Sequence, residues 1–258
     1  MSMVEQNKGL YYATQMHDGV VYGGSMVMLD QIKEMASVID EMSMLEPARK
    51  EAVLNAVYLH KSFEPKRMSD EWKAKRAKEG KPAELTDEEV ASIGGTRALS
   101  IIKELRTEEA LEKGSEEERA AILGKEKYAE YQGLVEAAAK AGKFKTPDAE
   151  KKEREWLVKS VWAKGLSKEA KEMMLAEKII NFETSEKVVS KLLNPRVSAE
   201  EKAKAKPVEW HKNYLRLRMM AVESVKDANP EMYKRAVRSK NNTNFRILVA
   251  ENQNGGRE

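Results

Sequence analysis

Helix-start signals recur along this chain, and they constrain its fold more than any other feature. Thr86-Asp87-Glu88-Glu89, Ser115-Glu116-Glu117-Glu118 and Ser198-Ala199-Glu200-Glu201 each place a hydroxyl three residues before a glutamate. That spacing fits a capping box, in which hydroxyl and carboxylate each satisfy an amide donor that the first helical turn leaves open. Thr146-Pro147-Asp148 marks a further start, since a proline in the first turn forfeits no hydrogen bond. Stops fall near Gly114, Gly124, Gly142, Gly165 and Asn194-Pro195. The starts are unevenly spaced, which excludes a helical repeat of fixed period. The fold class that follows is mainly α, a multi-helix bundle of about six to nine short helices.

Apolar faces fill the intervals. Leu99, Ile102 and Leu105 form one, and Tyr128, Tyr131, Leu134 and Val135 another. Trp156, Leu157, Val161 and Trp162 follow, then Met173, Met174, Ile179 and Ile180, and then Val188, Val189, Leu192 and Leu193. Residues 86–194 therefore read as a helical body. Ahead of it, Met28, Ile32, Met35, Ile39 and Met42 are spaced by four, three, four and three residues, a heptad-like stripe. Pro47 opens a second helix with Val53, Leu54, Val57 and Tyr58 on its face, so residues 26–63 read as a helical hairpin. The stripe's main expectation is an intramolecular core. Its three methionines also make it a candidate partner-binding surface, because flexible thioethers suit adaptable contacts.

Two end segments carry strand signals. Leu10 to Met16 and Val20-Val21-Tyr22 flank Asp18-Gly19, a good two-residue hairpin turn, so residues 1–25 read as an arm with a small β-hairpin ended by Gly23-Gly24. Phe245-Arg246-Ile247-Leu248-Val249 reads as a short C-terminal strand, preceded by a turn at Asn241-Asn242-Thr243 and followed by a frayed tail, within residues 241–258. Tyr11, Tyr12, Phe245 and Ile247 join the partner-binding candidates, since strand ends seek mates. Residues 64–85 are mostly charged around one large apolar group, Trp72. They read as a solvated helix and linker, with the indole docked onto the helical body and stacking on a nucleobase as its alternative use.

Charge is distributed unevenly. Between Lys202 and Arg246 there are twelve Lys and Arg against four Asp and Glu, although the net charge of the whole chain is only +3. Residues 195–240 thus form a basic helical region, with Trp210, Tyr214, Leu217, Ala221 and Val225 along one face. Lys212, Arg216, Arg218, Lys234, Arg235 and Arg238 are the candidate nucleic-acid-binding residues, because clustered cations neutralise phosphates and nearby aromatics stack on unpaired bases. The competing expectation is a basic surface over buried aromatics.

The residues of covalent and metal chemistry are sparse. With no cysteine, there is neither disulfide framework nor thiolate site. No G-x-G-x-x-G, G-x-x-x-x-G-K or G-x-S-x-G occurs, and His17, His60 and His211 stand apart without a metal-binding spacing. No catalytic residue, metal or cofactor is expected. The longest nearly apolar run, Val20 to Leu29, is about half of what a spanning helix needs, and no secretory leader is read at the start. The expectation is a non-enzymatic structural or interaction protein of a larger assembly, partnered by copies of itself or by other proteins, in the cytoplasm or a virion. A nucleic-acid-binding accessory protein, on DNA or RNA, is the alternative, and an enzyme of unfamiliar type stands behind both.

Overall fold

A computed structural model describes residues 7–22 and 26–255. The chain is mainly helical and divides into two compact units, residues 1–105 and 106–258. The first unit holds α1 (Lys8–His17), α2 (Met28–Met42), α3 (Pro47–Leu59), α4 (Asp70–Lys78) and α5 (Asp87–Gly94). Helix α6 (Thr96–Lys113) spans the division. The second unit continues with α7 (Glu116–Lys140), α8 (Pro147–Ala163), α9 (Lys168–Leu193), α10 (Ala199–Ala203), α11 (Val208–Ser224) and α12 (Pro230–Gly255). These outnumber the helices expected, because short elements such as α5 and α10 are separate.

The hairpin expected about Asp18-Gly19, with Leu10 to Met16 as one strand, is not formed. Lys8 to His17 is a helix, capped by the Asn7 side chain, which accepts from the Leu10 amide at 3.0 Å. Gly9, Ala13 and Met16 recur at helical spacing and are buried, so tertiary burial overrides the strand propensity of Tyr11, Tyr12 and Thr14. Asp18-Gly19 does turn the chain, with Gly19 at φ 66°, but it ends a helix instead of joining two strands. The strands present are two residues each, β1 (Val21–Tyr22) and β2 (Met26–Val27), antiparallel with Val21 opposite Val27. Gly23, Gly24 and residues 1–6 lie outside the described residues.

Helix α2 supplies the core of the first unit. Met28, Ile32, Met35 and Ile39 are buried, with Met42 half-buried, and α2 packs on α1 and α3. Their mates include Ala13, Met16, Val53, Ala56 and Val57. Beyond α3, two side chains of α4 fasten the segment that leads to α5. The Trp72 indole donates to the Ala83 carbonyl at 2.8 Å, and the buried Arg76 reaches the carbonyls of Pro82 and Glu84 at 2.8 and 3.0 Å. Arg76 also forms a two-pronged pair with Glu89 at 2.6 and 2.8 Å. Glu89 in turn completes the Thr86 capping box, so one carboxylate serves both the guanidinium and the start of α5. What the composition presents as solvated linker is a pinned loop.

In the second unit α9 is the central helix. Its first half is buried on every side, through Ala170, Met173, Leu175, Ala176, Ile179 and Phe182, as a helix surrounded by others must be. Helix α12 is its most extensive neighbour, and α11 packs on α8. Helix α7 turns sharply at Gly124, whose φ of 73° and ψ of 166° are open to glycine alone. The reversal lets Glu116 accept hydrogen bonds from Tyr128 at 3.1 Å and Tyr131 at 3.2 Å. The Ser115 capping box is complete, whereas at Ser198 only the hydroxyl half forms and Glu201 faces Lys191 instead.

The C-terminal strand is also absent. Phe245 to Val249 continues α12, and the basic helical region read as ending at residue 240 runs on through the expected turn to Gly255. Met232, Ala236, Ser239, Thr243 and Ile247 form one buried row at helical spacing. Extending that row lengthens contact with the body, which outweighs the β-preference of Ile247 and Val249 and the turn preference of Asn241-Asn242. The polar members of the row cost little, since Thr243 and Ser239 each donate to the carbonyl four residues back, at 2.9 and 3.2 Å. Of the tail read after Asn252, residues 256–258 lie outside the described residues.

Candidate functional site

The six nominated cations lie on α11 and α12, and most point at carboxylates of their own unit. Arg216 holds the buried Glu153 at 2.8 Å, Arg235 holds Glu183 at 2.7 Å and Lys234 meets Glu231 at 2.7 Å. Lys212 pairs with Glu251, which joins α11 to the distal turns of α12. The Arg218 guanidinium carbon lies over the Tyr214 ring, 3.5 Å from its centroid, and 4.9 Å from that of Trp156. Lys159 at 4.5 Å and Lys178 at 5.8 Å complete a set of cations around the Trp156 indole. Burial alone would lower the affinity of Lys178 for its proton, but Glu177, at 2.9 Å, and Glu108 push its pKa above the ordinary lysine value.

Arg238 and Lys240 differ from these. Neither carries an ion pair among the described residues. Lys240 lines a cleft of about 440 Å³ between α11 and α12, together with Lys212, Arg216, Met219, Asn244 and Leu248. Residues 240, 244 and 248 are each four apart, so they form one ridge of α12 along the cleft, roughly 12 Å long at the helical rise.

Beside that ridge the outer face of α12 is apolar. Phe245 is 66% exposed, Leu248 56% and Val249 39%, whereas Ile247 is 0% exposed. Spacings of three and four residues bring Phe245, Leu248 and Val249 into one patch, and Leu248 belongs to both patch and cleft. Tyr214 cannot serve as a stacking platform there, with Arg218 on its ring and Trp210 stacked at 4.6 Å. Trp210 itself is 40% exposed.

Of the other partner candidates, Tyr11 is exposed and Tyr12 is half-buried edge-on to Trp72 at 6.3 Å. Met28, Ile32, Met35 and Ile39 are interior, which leaves Phe245 as the partner candidate with the largest free surface. Leu248, Val249 and Lys240 complete the site, and sequence reasoning passed over them as site residues. Their signal was a second apolar row at i, i+3 and i+4, hidden because the segment was read at strand period.

The histidines stay apart and take structural roles. His17 is buried and donates from Nδ1 to the Arg67 carbonyl at 2.6 Å, and His211 is buried with Nδ1 hydrogen-bonded to the Ser185 hydroxyl at 2.6 Å. Desolvation lowers both pKa values below the histidine norm. Among the described residues no group of three or more His, Asp or Glu is placed to hold a metal ion, and no helix is long and apolar enough to cross a membrane. Comparison with protein families, curated proteins and solved structures finds no match.

Proposed function

We propose that this protein is a non-enzymatic interaction subunit that works within a larger assembly, and that it engages a protein partner through the outer face of α12. The observation that carries this reading is the exposed patch of Phe245, Leu248 and Val249 on a helix whose opposite row is fully buried. A contiguous apolar patch left in water on an otherwise well-packed helix is the usual mark of a contact surface. Helix α12 is anchored along α9 and presents the patch on a fixed scaffold. Such pre-ordering lowers the entropic cost of docking.

The second reading, nucleic acid binding, draws on Arg238 and Lys240, which carry no ion pair among the described residues, and on the exposed indole of Trp210. It is weakened by the pairing of Lys212, Arg216, Lys234 and Arg235 within the chain, since phosphates would have to displace those carboxylates.

Random-peptide display against the immobilised protein separates these readings. Peptides should be enriched whose retention is lost on the Phe245→Asp/Leu248→Asp variant, while labelled mixed-sequence DNA should show no binding at moderate salt. Enrichment of nothing, or of peptides that the double variant retains equally, contradicts the proposed function. Salt-sensitive DNA binding that Arg238→Glu weakens would transfer the function to the second reading.

A further inference from the structure

The site just described has a definite chemical preference. From Lys234 to Asn252 the chain carries five Lys and Arg and one carboxylate, Glu251. Glu251 is turned to Lys212 across the cleft, Arg246 to Glu186, Arg235 to Glu183, and Lys234 to Glu231. Among the described residues, the charge left over on this stretch is that of Arg238 and Lys240. Arg238 lies seven residues before Phe245, two helical turns ahead on nearly the same face, and Lys240 lies on the cleft ridge that Asn244 and Leu248 continue. Asn244 lines the cleft, Asn241 and Asn252 fall beside it on the same strip of α12 by their spacing, and Glu209 faces Lys212 at 3.7 Å from the α11 side.

Resting on the proposed function, we infer that the occupant of the α11–α12 cleft and its apolar rim is an acidic amphipathic helix of a partner protein. Its large apolar side chains lie on Met219, Leu248 and Phe245, and its Asp or Glu residues face Lys240 and Arg238. A helix suits the site because the cleft runs between two helices and is bounded by ridges of four-residue spacing, the grooves into which a third helix packs. Charge complementarity selects an acidic partner over a basic one, because Arg238 and Lys240 would repel like charge, with no carboxylate among the described residues paired to them. A phosphate backbone offers the same charge but covers no apolar patch, and here the apolar rim is as prominent as the cations.

The test uses the full chain and three labelled peptides of about 18 residues, each held helical by a lactam bridge. One carries Leu at i, i+3, i+4 and i+7 with Glu elsewhere, the second replaces Glu by Lys, and the third replaces Leu by Ser. Fluorescence anisotropy should show the Glu/Leu peptide binding at least about tenfold more tightly than either sister. Arg238→Glu/Lys240→Glu should remove about tenfold of that affinity at low salt and less at high salt, and Leu248→Asp should remove it at both. Circular dichroism of each variant guards against misfolding, and Lys234→Glu, outside the cleft, serves as a charge control that should bind nearly as the parent does.

A Lys/Leu peptide that binds as well as its Glu/Leu sister overturns the inference, as does indifference to the double charge reversal. Mixed-sequence DNA that binds more tightly than the Glu/Leu peptide and is lost on charge reversal overturns it in favour of nucleic acid. If display selects non-acidic peptides that still need Phe245 and Leu248, the docking function stands and only the acidic partner falls.

Discussion

Helices α2 and α12 both carry apolar rows that nominate them as binding surfaces, and the molecule uses them in opposite ways. In α2 the row of Met28, Ile32, Met35 and Ile39 finds its mate within the chain, on α1 and α3, and is consumed in the core. In α12 there are two rows. Ile247, Thr243 and Ala236 face α9, while Phe245, Leu248 and Val249 face water. An apolar stripe therefore says that a mate exists, and it is the second, exposed face of α12 that leads us to propose another molecule as its mate.

The comparison breaks most visibly when a charge is placed in either buried row. Ile32→Asp and Ile247→Asp should each destabilise the protein by about 4 kcal/mol or more, read by urea denaturation, because an unpaired carboxylate would be left in the core. Equal tolerance of both would mean that these rows are not interior.

The same division holds for cations, and Arg76 is the inward case. Its side chain is nearly enclosed, with Glu89 and two carbonyls as partners, so Arg76→Ala should cost about 3 kcal/mol by leaving Glu89 and the 82–84 turn unsatisfied. Arg238→Ala should change stability by less than about 0.5 kcal/mol, as an exposed cation with no ion pair among the described residues.

A subtler contrast lies in pH dependence. Burial raises the pKa of Glu64, but Lys61 at 2.9 Å and Arg67 at 2.6 Å outweigh it and hold the carboxyl at about 2. A depressed folded-state pKa adds stability that is present above the ordinary glutamate value near 4.5 and lost as pH falls toward 2. Glu64→Gln should therefore remove about 2 kcal/mol at neutral pH and flatten the acid limb between those values, measured by urea titration at a series of pH values. The outer row of α12 should contribute no such limb. Phe245→Ala, the smallest effect, should shift stability by less than about 0.5 kcal/mol while abolishing partner binding.

Much of the architecture is legible in residues. The hydroxyl and glutamate at Thr86 and Glu89, and at Ser115 and Glu118, form their reciprocal caps because that signal is local and needs no tertiary partner. The ends are misread for the opposite reason. Tyr11 and Tyr12, like Ile247 and Val249, have local strand preference, but their segments belong to helices because Ala13 and Met16, or Thr243 and Ile247, complete a row against a neighbour distant in sequence. Lys212 and Arg216 are nominated for their charge, and although Glu209 lies three residues before Lys212, the partners Glu251 and Glu153 that engage them more closely lie far off in the chain. Arg76 could not be told from Lys75 or Lys78 in a basic segment until the turn it holds was in place.

The two faces of α12 rest on helical periodicity across residues 243–249, and the absence of native cysteine allows a direct test. Single Thr243→Cys, Phe245→Cys, Ile247→Cys, Leu248→Cys and Val249→Cys variants would be labelled in the folded state with a thiol-reactive maleimide. A helix with α9 on one side gives fast labelling at 245, 248 and 249 and protection at 243 and 247. Alternating reactivity, with 245, 247 and 249 alike and 248 opposed to them, would restore a strand and contradict both the docking face and the function built on it.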